Sequence, residues 1–174
     1  MKASSTLGGL AGALALTLLN ETIKKVKADA PRLDLLGQNA LAKLMKGNDF
    51  MPQTVTKFFP LAGDLVTNSL FYGMAKGSDS TNTLLRGTLL GLAAGVGAVA
   101  LPKQLGLPEA PTNRTTDTKI LTVAWYVVGG LVAAAAINAL DKALDKPKLP
   151  ENKELKSGAV KVGKQVGKKI YENI

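Results

Sequence analysis

An aspartate set in a long apolar stretch is the residue of this sequence whose surroundings point most directly to chemistry. Asp64 lies in Phe58–Ala75, which reads FFPLAGDLVTNSLFYGMA, with Thr67 and Asn68 close behind it. Spacing of four places Asp64 and Asn68 on one helix face, with Thr67 beside them. A carboxylate with amide and hydroxyl neighbours in an apolar setting has the makings of a proton or cation site. The same groups also suit plain helix-to-helix bonding, at about 0.6 kcal/mol per bond on average. Depth counting sets Tyr126, in a later apolar stretch, near the level of Asp64, so its phenol is expected to donate to the carboxylate. By the same count Tyr72, Arg86 and Asn138 share a level near the opposite end and make a second polar cluster.

Other chemistries are excluded by composition. The 174 residues contain no cysteine and no histidine, which removes thiol nucleophiles, disulfides, zinc fingers, iron–sulfur clusters, His-ligated haem and His acid–base catalysis. No span holds paired carboxylates. The Gly-rich run GLAAGVG lies inside an apolar helix and not between a strand and a helix, so it is no phosphate-binding loop. The expectation is a non-catalytic protein with no metal and no cofactor.

The elements that position these groups follow from four stretches almost free of charge. A bilayer core of ~30 Å needs about 20 mainly apolar helical residues. Ala3–Asn20, Phe58–Ala75, Ser80–Pro102 and Ile120–Leu140 are all near that length, with Asp64 and Arg86 the only charges inside them. The expected fold is all-α: a polytopic membrane bundle of four transmembrane helices at about 3–20, 58–75, 82–102 and 120–140. Trp125 and Tyr126 sit one turn inside the charged boundary of the last span, where amphipathic rings favour headgroups. The interior glycines argue against a soluble bundle, because soluble helices lose about 1 kcal/mol per interior Gly relative to Ala. The first stretch reads as a retained span and not a cleaved signal, since apolar residues continue through Leu19 beyond the Ala13-Leu14-Ala15 site.

Small residues recur at every fourth position. They are Ser5, Gly9, Ala13 and Thr17 in the first span, Gly87, Gly91 and Gly95 in the third, and Gly130, Ala134 and Asn138 in the fourth. Each set forms a ridge on one face, the GxxxG pattern that lets backbones approach where lipid gives no hydrophobic drive. Such ridges imply a tightly packed bundle, with self-association as a further possibility.

Outside the spans, Leu33, Leu36, Ala40, Leu41 and Leu44 follow helical spacing after Ala30-Pro31, which predicts an amphipathic helix at about 32–46. The sequence divides into a membrane domain over 1–140 and a basic tail over 141–174. In that tail Lys161, Lys164, Lys168 and Lys169 are expected to face anionic lipid, each worth about 1 kcal/mol near the surface. The formal net charge of +9 does not point to nucleic acid, for there are no interleaved aromatics, no module and only three arginines. With four spans, twelve Lys and Arg fall on the side of the termini and ten on the other. That margin leans toward cytoplasmic termini. The lack of cysteine, the size and the weak charge asymmetry fit a bacterial inner membrane.

Two functions are open at this stage. The first is a structural or accessory component, packing through its Gly/Ala ridges with a membrane complex or with itself, and contacting lipid through its basic segments. The alternative is a small transporter or channel using Asp64 as an intramembrane proton or cation site. The first expects Gly91→Leu to weaken assembly; the second expects Asp64→Asn to abolish flux while assembly survives.

Overall fold

A computed structural model describes residues 2–44 and 53–144, with side chains omitted over 53–59. Every regular element is helical, and there is no strand among the described residues. In chain order they are α1 (Ala3–Ile23), α2 (Leu33–Leu44), α3 (Gln53–Gly73), α4 (Ser80–Gln104), α5 (Ala110–Asn113) and α6 (Thr116–Leu144). The chain divides into two compact units, Met1–Lys142 and Ala143–Ile174. The second unit, and with it Lys161, Lys164, Lys168 and Lys169, lies almost wholly outside the described residues.

Among the described residues three helices are long and apolar enough to cross a membrane: α1, α4 and α6, at 21, 25 and 29 residues. α3 matches α1 in length at 21 residues but is not one of the three. The reason lies in its composition, since Asp64, Thr67, Asn68 and Ser69 interrupt one half and Gln53, Thr54 and Lys57 open the other. The ends also differ from the sequence reading. α3 stops at Gly73 and not at residue 75, while α6 begins at Thr116 and runs to Leu144, well beyond 120–140. The early start of α6 moves Trp125 and Tyr126 more than two turns along the helix, at 1.5 Å per residue. Both rings are buried inside the bundle, at 6% and 8% exposure. The amphipathic helix is the described 12-residue α2, of which only Leu33 is fully buried.

α6 is the centre of the bundle, and glycines set how closely its neighbours approach. A Cβ placed on Gly87 would lie 2.5 Å from the Gly130 carbonyl oxygen and 2.8 Å from Ala134 Cβ. One on Gly91 would lie 2.5 Å from the Tyr126 oxygen, and one on Gly95 would lie 2.7 Å from Val123 Cα. The α4 ridge therefore runs against α6 within a single chain. α1 uses two faces: Gly9 meets α3 at Gly73, while Gly8 and Gly12 meet α6 at Ile137 and Ala133. Around these seams Leu16, Tyr72, Trp125, Tyr126 and Ala133 form the apolar core, with Ala30 and Leu33 closing it from outside.

Each end of the bundle is tied by polar contacts. At one end Lys76 pairs with Asp141, Arg86 donates to the Lys76 carbonyl at 2.6 Å, and Asn138 donates to the Ser80 carbonyl at 3.0 Å. There Asp79 caps α4 by accepting from the Asn82 amide at 2.8 Å. At the other end α2, the turn after α1, α5 and the start of α6 make a cap. Arg114 reaches the Ala28 carbonyl, Thr118 donates to the Asp29 carbonyl at 2.9 Å, and Lys27 pairs with Asp117 at 3.2 Å. Gly106 ends α4 at φ 63°, a left-handed turn that glycine adopts without strain, and the Gly106 and Leu107 amides bond back to Lys103 and Pro102. Lys43 of α2 then donates to the carbonyls of Leu105 and Gly106, fixing α2 over that turn.

Candidate functional site

α3 packs closely along α1 and also against α2, touches α6 through Tyr72, and meets α4 only sparsely. The space left between α3 and α4 is a cavity of about 510 Å³. Asp64, Thr67, Asn68 and Phe71 of α3 line it, Tyr126 of α6 lies at its back, and the rest of its wall is apolar. The first four residues expected to act together therefore share one cavity.

Their bonding differs from the expected pattern. The hydrogen bond at Asp64 comes from Asn68, whose Nδ2 donates to Oδ1 at 2.8 Å. This is the i, i+4 pair on one face. Asp64 forms no ion pair among the described residues. On its other side Asp64 borders a small cavity of about 40 Å³ between α1, α2 and α3, lined also by Thr17, Asn20, Glu21, Asp34 and Gln38. The buried Thr17 hydroxyl has no hydrogen-bond partner there. Leu16, Leu33, Pro60 and Leu61 supply the apolar part of the cavity wall. Asp64 thus stands between a small pocket on the side of the α2 cap, part polar and mostly apolar, and a larger one between α3 and α4.

The second expected cluster divides. Arg86 and Asn138 both bind backbone carbonyls at the α3–α4 turn, as described above. Tyr72 does not join them. It is fully buried, and its hydroxyl donates to the Tyr126 carbonyl at 2.8 Å, across a gap that Gly129 keeps open. Depth counting along the backbone missed this because a tyrosine hydroxyl reaches more than a turn from its own backbone.

Of the packing residues, Gly87, Gly91, Gly95, Gly130 and Ala134 meet in one α4–α6 seam, and Gly9 faces α3. Ala13 is buried in α1. The sequence reading missed Gly8 and Gly12, although they too are four apart, and it missed Gly129.

Compared with protein-family models, curated proteins and solved structures, the chain matches none. Its own geometry is what speaks for function. No group of three or more Asp, Glu, Cys or His side chains stands ready to hold a metal ion among the described residues. In the cap, the carboxyl of Asp34 is set by its neighbours. Burial raises its carboxyl, but hydrogen bonds from Arg32 at 3.0 and 3.1 Å and from Lys24 at 3.3 Å outweigh that and hold it below the usual carboxylate range. Lys24 also pairs with Glu21, so this acidic pair beside the small cavity is already neutralised by basic neighbours. Asp64 has no ion-pair partner among the described side chains.

Proposed function

We propose that the chain is a non-catalytic multi-pass membrane protein, a small transporter or channel, in which Asp64 is an intramembrane proton or cation site. In this reading α3 is the fourth membrane segment, held inside the bundle by α1 and α6 despite its polar face. The observation that carries the proposal is the shared cavity: Asp64, Thr67, Asn68 and Tyr126 converge on one space, and the carboxylate is left without a basic partner among the described residues. A charge in the bilayer costs at least ~2.5 kcal/mol on insertion scales, so a retained aspartate without a structural ion pair points to a mobile cation or proton as its counter-charge. The test is Asp64-dependent movement of charge in vesicles containing the purified protein.

The second reading is a structural or accessory component of a membrane complex or homo-oligomer. What favours it is the outward face of α4, where Leu85, Leu89, Leu92 and Val96 are all exposed and would meet either lipid or a partner helix. Its glycine ridges speak less for it, because the α4 ridge is occupied by α6 of the same chain. The mass and subunit composition of gently extracted protein separate the two: a stable set of other subunits favours the accessory role. Contact of the basic tail with anionic lipid belongs to either reading.

A further inference from the structure

The α3–α4 cavity is polar at one place and apolar elsewhere, and this asymmetry defines a ligand. At Asp64 one carboxylate oxygen accepts from Asn68 and the other is free of basic partners among the described residues. Phe71 and Tyr126 flank the same space. A carboxylate beside aromatic rings suits an alkylammonium head, which gains both an ion pair and cation–π attraction. A bare metal ion fits poorly, since it needs several oxygen ligands and no acidic cluster is present among the described residues. Away from Asp64 the wall is Ala94, Gly97, Ala98 and Leu101 of α4 with Leu36 and Ala40 of α2. These offer no hydrogen-bonding side chain and suit a hydrocarbon tail. The volume of about 510 Å³ is in the range of small-molecule sites, roughly 300–1,000 Å³.

Access is also defined. Leu36, Ala40, Leu105 and Leu107 roof the cavity at the cap end, and Lys43 ties α2 to the Leu105–Gly106 turn beneath it. Among the described residues an opening remains on the lateral side, between α3 and α4, where the two helices scarcely touch. We propose that this cavity binds a single-tailed organic amine drawn from the bilayer, its protonated head on Asp64 and its tail along the small-residue face of α4. This rests on the reading of Asp64 as the working site and names the class of molecule it takes.

Trp125 is the single tryptophan and packs in one cluster with Tyr126, Phe71, Ala94 and Ala98, which line the cavity, so its fluorescence reports on the cavity. The full chain in lipid nanodiscs is titrated at pH 7 with dodecylamine carrying a nitroxide in its tail, and with the matching nitroxide-labelled dodecanoic acid. The expected result is saturable quenching by the amine, weaker by more than about tenfold for the acid and for Asp64→Asn. Gly97→Leu should also lose saturable quenching. A Cβ at Gly97 has only the end of Leu101 near it, at 3.5 Å, so the larger side chain enters the cavity without meeting backbone. Elution volume and circular dichroism confirm that both variants fold. Equal quenching by amine and acid, or an unchanged Asp64→Asn protein, overturns the proposal. If vesicle flux depends on Asp64 but the amine neither binds nor competes, the ligand class falls and the site stands. If the amine binds at Asp64 without any flux, the transport reading falls and the binding site stands.

Discussion

Adding one methyl group at Gly91 tests whether α4 and α6 are as close as the glycine ridge requires. The new Cβ of Gly91→Ala would stand 2.5 Å from the Tyr126 carbonyl oxygen, 2.7 Å from Val127 Cα and 3.0 Å from the Tyr126 carbonyl carbon. All three are backbone atoms, so no rotamer change relieves the clash. Ordinary contact begins near 3.4 Å. α4 must therefore withdraw by roughly 0.9 Å, and dispersion contacts decay over just such distances. Because Gly87 and Gly95 lie on the same seam, the withdrawal loosens three turns at once. Over-packing of this kind costs about 1–3 kcal/mol. The control is Gly63→Ala, where nothing stands within 4 Å of the added carbon, and the expected change is within about ±0.5 kcal/mol. Both are measured by titrating folded protein in mixed micelles with a denaturing detergent while following Trp125 emission. If Gly91→Ala proves as stable as wild type or as Gly63→Ala, the α4–α6 seam is not packed as described.

Single contacts at the core and at the two ends of the bundle give further tests. Tyr72→Phe keeps the buried ring and removes its bond to the Tyr126 carbonyl, so the same titration should show a loss of about 0.5–1.5 kcal/mol; no loss would mean the hydroxyl is not bonded there. The Asp34 carboxyl is held below its unfolded value near 3.9, so its stabilisation is complete above that pH and is lost as pH falls through the folded value. Hydrogen exchange over 33–44 should therefore lose protection progressively as pH falls below about 4, and Asp34→Asn should remove that dependence; the same pH dependence in wild type and Asp34→Asn would refute it. Breaking the Lys76–Asp141 pair by Lys76→Met should cost no more than about 1 kcal/mol, because both partners remain partly in contact with water.

The helices were legible because long uncharged runs and fourfold small-residue spacing are direct consequences of what a bilayer and a close helix crossing require. Gly87, Gly91 and Gly95 share the α4 face that lies against α6, but spacing says which residues share a face and not which helix meets it. It does not separate packing within the chain from self-association, nor does it show the second seam of α1 through Gly8 and Gly12. The convergence of Asp64, Asn68 and Tyr126 on one level was readable from depth. The partner of the Tyr72 hydroxyl was not, since it depends on a gap at Gly129. The apolar cavity wall left no mark either, for Ala94, Ala98 and Leu101 are ordinary residues of any membrane helix and become a site only where α3 and α4 diverge.

Asp64-dependent flux bears most directly on the account. Purified protein is placed in vesicles enclosing a pH-sensitive dye, and proton and monovalent-cation movement is driven by a potassium gradient with valinomycin. Wild type should exceed empty vesicles, and Asp64→Asn should fall to the empty-vesicle rate while its detergent stability stays at or above that of wild type. A wild-type rate equal to that of empty vesicles, or an Asp64→Asn rate equal to wild type, would contradict the assignment of Asp64 as the working group.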